Sequence, residues 1–229
     1  MTASQDLAQG PLDFMNDNIL IVPMLGNNAV PVTQGTTTVQ IYSRPTNRVR
    51  GRRHNWRRTE VGVWFMVPQG AAAAPPDAVI DPNPLTVYFC PYHDNSTLGA
   101  VVSNGANLMF TTQMDGCSFG IGSASPAGNR LVYHTNEAAV GGTGGPGAQS
   151  NAQDRSLRDN FGATNTNIEA ILAPNDYRTS RRGTVYKSTT FGVRNAASNQ
   201  WHFFAQRFTE GAQVGHLRTF ILKEVVQVL

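Results

Sequence analysis

The sequence predicts a single-domain α+β protein, residues 1–229, with a β-sandwich-like mixed β core and peripheral helices. Three observations carry this. Short runs rich in β-branched and aromatic residues recur along the chain, separated by turn residues among the 22 Gly and 13 Pro. Hydrophobic residues make up 40% and charged residues only 14%, which suits a packed core and argues against disorder. No internal repeat and no long linker divides the 229 residues, a length that fits one sizeable domain.

The elements follow in order. "DNILIVPML" (17–25) and "TTTVQIYS" (36–43) read as strands, β-branched and partly alternating. "RPTNRVRGRRHNWRR" (44–58) carries seven arginines. "VGVWFMV" (61–67) is an apolar strand, "PQGAAAAPPDAVIDPNP" (68–84) a loop broken by Pro and Gly, and "LTVYFC" (85–90) a strand. "ANLMFTTQM" (106–114) suits a strand or a short helix. "CSFGIG" (117–122) and "RLVYHT" (130–135) read as two strands joined by a hairpin-like turn. The composition of "GGTGGPGAQSNAQ" (141–153) predicts a flexible loop. "DRSLRDNFGATNTNIEAILA" (154–173) holds the best helix candidates, broken near Gly162. "GTVYKSTTFGV" (183–193), "QWHFFAQRF" (200–208) and "HLRTFILKEVVQVL" (216–229) are strands.

Charge and cysteine content narrow the function classes. The net charge is +3, and Lys187 and Lys223 are the only lysines beside many arginines. Arginine suits planar, bidentate contacts to acidic groups; codon bias in a GC-rich genome gives the same composition. The two cysteines, Cys90 and Cys117, are too few for a disulfide scaffold, and a Cys-x-x-Cys pair is missing. No metal and no cofactor is expected. "CPYHD" (90–94) offers Cys90, His93 and Asp94 without a second cluster to complete a metal site, and reads as a strand end with a polar turn. The start "MTASQDLAQGPLDF" has neither a basic nor an apolar signal region, so a cleaved Sec signal is not expected. No apolar run approaches the ~20 residues of a membrane helix, and a membrane is not an expected partner.

The chemistry centres on "FTTQMDGCSFGIG" (110–122) and "LVYHTN" (131–136). A thiol attacks carbonyl carbon as thiolate and needs a nearby base. An imidazole in reach supplies the base and then the general acid, provided a third group fixes its tautomer. Pairing of the two strands sets Cys117 beside His134. Gly116 allows a backbone with φ > 0, so that the N–H of Cys117 and its neighbour at Gly116 face an oxyanion. Thr111, six residues before the cysteine, is placed to hold His134.

"NLMFTTQMDGC … LVYHTN" resembles the active-site pattern of the glutamine deamidases related to cytotoxic necrotizing factor, which include the chemotaxis-receptor deamidase and the Burkholderia lethal factor. The shared pattern is Thr, five residues, Cys, then His, and Thr111, Cys117 and His134 match it. The lethal factor is the most similar, with its Phe-Thr start, Gly-Cys pair and apolar-aromatic lead into His. The resemblance covers about residues 107–136. Asp115 departs from the family's small residue two before the cysteine and is expected to point to solvent, since a carboxylate facing the thiol raises its pKa.

The resemblance implies a bacterial effector or toxin. Such an enzyme converts a glutamine of a target protein, expected in a host, to glutamate through a Cys117 thioester, with His134 as general acid and base. It implies action in the bacterial cytosol before export, or in a host cytosol after secretion without a cleaved signal. In that setting Arg52, Arg53 and Trp56 are expected to recognise the substrate. Nucleic acid is not an expected partner, because the net charge is modest and no nucleic-acid module is present. Three alternatives stand beside this reading: transglutamination on the same thioester, another Cys–His hydrolase, and a non-enzymatic Arg-rich binding protein.

Overall fold

The β-branched runs form strands where the sequence places them. The computed structural model describes residues 2–24, 35–44, 48–50 (backbone), 62–70, 75–178, 185–211 and 219–229. In chain order these hold α1 (Ala3–Gln9), α2 (Pro11–Asp17), β1 (Asn18–Ile21), β2 (Thr36–Ser43), β3 (Arg48–Arg50), β4 (Gly62–Pro68), β5 (Val79–Ile80) and β6 (Leu85–Cys90). There follow β7 (Thr97–Val102), β8 (Leu108–Thr111), β9 (Ser118–Gly122), β10 (Arg130–Thr135), α3 (Ala138–Ala163), β11 (Ile168–Leu172), α4 (Pro174–Tyr177), β12 (Lys187–Asn195), β13 (Gln200–Glu210) and β14 (Thr219–Gln227). The fold is α+β with a mostly β core.

Among the described residues the strands make two sheets. A ten-stranded, nearly closed sheet runs β1-β4-β2-β6-β8-β12-β13-β14-β3, with β5 added on β2. A four-stranded sheet runs β11-β9-β10-β7 and is antiparallel throughout. Parallel pairs in the large sheet include β1 with β4 and β6 with β8.

Side-chain alternation sorts the residues into layers. In β6 and β8, Val87, Phe89, Leu108 and Phe110 point into the large sheet's interior, where Leu7, Phe14 and Met15 of α1 and α2 plug it. Their neighbours Tyr88, Cys90 and Met109 point the other way, against Phe119, Ile121 and Val132 of the small sheet. β13 is buried on both faces. Trp201, Phe203 and Ala205 face the small sheet, while Phe208 joins the interior cluster with Phe220.

The outer face of the small sheet carries α3. Leu157 and Phe161 pack on Tyr133, with Leu131, Ile168 and Ile171 at the margin. Gly120 makes this close approach feasible, because a Cβ there would lie 2.7 Å from Phe161 and 2.9 Å from Leu157.

Three expectations are corrected here. Residues 141–153, expected as a loop, lie within α3, which is interrupted only at Gly145 (φ 80°, ψ 179°) with Pro146 following. Tertiary contacts override composition. Asn136 Oδ1 and Asn95 Oδ1 accept from the N–H groups of Ala138 and Ala139 at the helix start, and Pro146 restarts the helix where proline is tolerated. The helix candidate 154–173 ends at Ala163, and Ile168–Leu172 instead form a strand on β9. The loop at 68–84 also contains the two-residue β5.

Candidate active site

The site lies between the two sheets. β9 and β10 pair antiparallel, with Ser118 opposite Thr135 and Phe119 opposite His134. Cys117 is two residues from Phe119 and therefore shares the face of Phe119 and His134, as a diagonal neighbour of the imidazole. That face looks onto the large sheet. There the parallel register sets Thr111 of β8 beside Cys90 of β6.

Thr111 fixes the state of His134. Its hydroxyl donates to the Cys90 carbonyl at 3.0 Å, which commits the only hydroxyl hydrogen. Thr111 Oγ1 lies 2.7 Å from His134 Nδ1 and so accepts the Nδ1 hydrogen. The neutral ring consequently carries its free lone pair on Nε2. That atom is buried and has no hydrogen-bond partner among the described residues. Leaving a buried polar atom unpaired costs about 1–3 kcal/mol. The Tyr92 ring covers the imidazole at 5.1 Å between centroids.

Burial dominates the electrostatics. Cys117 is 1% exposed and His134 1% exposed. Burial pushes the Cys117 thiol up to about 12, helped by the Asp115 and Asp94 carboxylates and opposed by the Asp115 backbone N–H and Arg178. Burial alone pulls His134 down to about 3. Thiol and imidazole are therefore both neutral, and Nε2 makes no hydrogen bond to the sulfur.

The segment carrying Cys117 is clamped from outside its own hairpin. Gly116 has φ 94°, a conformation that L side chains rarely adopt and the one its sequence position predicts. Its N–H donates to Tyr177 Oη at 2.9 Å, and the Tyr177 hydroxyl donates in turn to the Cys117 carbonyl at 2.8 Å. The Gly116 carbonyl accepts from Gln149 Nε2 at 3.2 Å and Gln153 Nε2 at 2.8 Å. Ser118 Oγ donates to Gln153 Oε1 at 2.7 Å. Of the two backbone donors expected for an oxyanion, the one at Gly116 is thus committed to Tyr177. The Cys117 N–H is the other.

Of the three expected residues, Thr111 bonds His134, while Cys117 stands on the His134 face without a hydrogen bond to the imidazole. Asp115 differs from expectation. It is only partly exposed, with Arg178 Nε at 3.5 Å and Lys187 Nζ at 3.9 Å. These two cations offset the charge it brings near the thiol. Arg52, Arg53 and Trp56 lie outside the described residues. Cys90 and His93 are not partners: Cys90 Sγ points at the Leu98 and Val132 carbonyls, and His93 Nδ1 lies against the Asp94 carbonyl. Among the described residues no group of three or more His, Cys, Asp or Glu side chains is arranged to hold a metal.

Tyr177, Gln153 and Tyr92 carry no local motif. Tyr177 follows the Pro174 that starts α4, and the packing of α4 against the Gly116 turn gives it a role. A cavity of about 360 Å³ opens on the far side of Gly116, lined by Pro146, Gly147, Gln149, Pro174, Arg178 and Val185 among others. It brings solvent to the residue next to Cys117 at the break in α3. No family model matches the chain, and no curated protein matches it in sequence.

Proposed function

We propose that the protein is a cysteine-dependent protein glutamine deamidase, with Cys117 as nucleophile, His134 as general acid and base, and Thr111 as the group that orients the imidazole. The observation that carries this reading is the orphaned Nε2 of His134. A buried ring nitrogen, fixed as an acceptor by Thr111 and aimed from the face that bears a cysteine, is expensive in a purely structural role and useful for catalysis.

The Cys117 proton passes to Nε2 as Sγ adds to the side-chain amide carbon, and the carbonyl π pair moves to oxygen. The oxyanion collapses, the C–N bond breaks, and the imidazolium gives its proton to the departing ammonia. A thioester remains. Water, deprotonated by Nε2, adds to it, and the thiol leaves with glutamate as product. With both groups neutral at rest, the thiolate forms as its proton passes to Nε2. The resemblance around Thr111, Cys117 and His134 supports glutamine over other amides, and a bacterial effector acting on a host protein as the setting.

The test is incubation of the protein with a eukaryotic cell lysate, followed by peptide mass mapping of glutamine-to-glutamate conversions. Conversions present with the parent protein and absent with Cys117→Ala are the expected result. Incorporation of added methylamine in preference to water would reassign the reaction to transglutamination. No Cys117-dependent change at any glutamine overturns the proposal.

A further inference from the structure

We infer that Asn136 is a catalytic residue of this site: its side-chain amide donates to the oxyanion, held for that task by Tyr92 and Asp94. The inference rests on the Cys117 reading above. It answers a gap in the site, since the Gly116 N–H already serves Tyr177.

Register places the residue. Continuing the β9–β10 ladder one pair past Ser118–Thr135 sets Asn136 directly opposite Cys117. The Asn136 N–H donates to the Ser96 carbonyl at 3.0 Å, so the strand geometry of β10 extends to it. Asn136 lies two residues after His134 and shares its face. Directly opposed side chains have Cβ atoms about 4.5–5.5 Å apart, closer than the diagonal His134. Tyr92 confirms the common face, because it packs on the His134 ring and its hydroxyl bonds Asn136.

The amide is locked at both ends. Ala138 N–H donates to Oδ1 at 2.8 Å, which fixes the oxygen toward α3 and the nitrogen toward the site. Nδ2 donates one hydrogen to Tyr92 Oη at 2.7 Å. Tyr92 Oη in turn donates to the Asp94 carboxylate, so it must accept from Asn136. The second Nδ2 hydrogen has no acceptor among the described residues. A polar donor on a 6% exposed residue, across from the nucleophile and with a hydrogen to spare, is what a developing oxyanion needs.

Two electrophiles on the same thiol test this. p-Nitrophenyl acetate acylates Cys117: sulfur adds to the ester carbonyl, an oxyanion forms, and p-nitrophenolate leaves. Iodoacetamide alkylates it by displacing iodide from carbon, with no oxyanion. Both rates scale with thiolate, so their ratio reads the oxyanion alone. Peptide mass mapping confirms that Cys117 is the modified residue. Asn136→Ala is expected to lower the ratio of acylation to alkylation about 100-fold. Tyr92→Phe, which keeps the ring on His134, is expected to lower it about tenfold, the equivalent of one hydrogen bond. Asn136→Ser serves if the alanine variant does not fold. Equal slowing of both reactions, or an unchanged ratio, overturns the role of Asn136 and leaves Cys117 as nucleophile. No acylation of Cys117 in the parent protein overturns the thioester reading and this inference with it.

Discussion

Two buried polar side chains in this molecule are treated in opposite ways. Gln206 of β13 is fully buried inside the large sheet, and every polar atom it has is used. Its Nε2 donates to the carbonyls of Met15 at 2.5 Å and Asn18 at 2.7 Å, and its Oε1 accepts from the Leu20 N–H at 2.9 Å. Thr189 adds a bond to the Leu20 carbonyl at 2.6 Å. Together they satisfy the outer edge of β1, where an exposed ladder would otherwise invite another strand. His134 is as deeply buried, yet one ring nitrogen is bonded and the other is left alone. A satisfied buried network rigidifies a fold; a half-satisfied one costs stability and is retained where chemistry needs it.

The contrast can be broken by mutation, and the largest effect belongs to Gln206. Gln206→Met removes three hydrogen bonds and leaves three backbone groups unpaired, the Asn18 carbonyl and Leu20 N–H of β1 and the Met15 carbonyl of α2, at about 1–3 kcal/mol each. A loss of about 5 kcal/mol in urea unfolding is expected. A loss under about 1 kcal/mol would mean that water reaches the β1 edge and the seam is not dry.

The acid limb of stability comes next. His134 has a folded pKa near 3 against 6.5 for the free side chain, so the unfolded chain binds a proton that the folded chain refuses. Stability from this residue is therefore complete above pH 6.5 and falls as pH drops toward 3. The slope approaches about 1.4 kcal/mol per pH unit within that window. In His134→Asn this part of the slope is expected to vanish when unfolding is followed from pH 7 to pH 4. Parallel profiles for the two proteins would show that His134 is protonated in the fold.

The smallest effect is at neutral pH. Asn in place of His134 keeps a donor for Thr111 and removes the orphaned nitrogen. Its stability is expected within about 1 kcal/mol of the parent, because relief of the orphan offsets the small cavity. On the proposed reading, glutamine conversion is expected to be lost in the same variant. A destabilisation above about 3 kcal/mol would put His134 in the same class as Gln206.

The legibility of the sequence follows the same division. "TTTVQIYS" and "LTVYFC" become β2 and β6 at the bounds their patterns suggest, because local alternation and burial agree there. The Thr111–His134 contact and the shared face of Cys117 and His134 were legible because these residues sit within one hairpin and the strand before it. Residues 141–153 misled, because glycine content describes an isolated peptide, whereas Asn136, Asn95 and the small sheet supply the helix with caps and a surface. Tyr177 and Gln153 were invisible for a related reason. Each meets Gly116 across 61 and 37 residues, and no local pattern encodes such a meeting.

The Gln206 seam also sets a timetable for synthesis. Leu20 leaves the ribosome well before its partner, which lies 186 residues further on. At 5–20 residues per second the β1 edge waits about 10–40 s for the side chain that completes it. Throughout that interval the nascent chain has β1 in hand and an unfinished large sheet to hold it. A holdase has its opening in that interval.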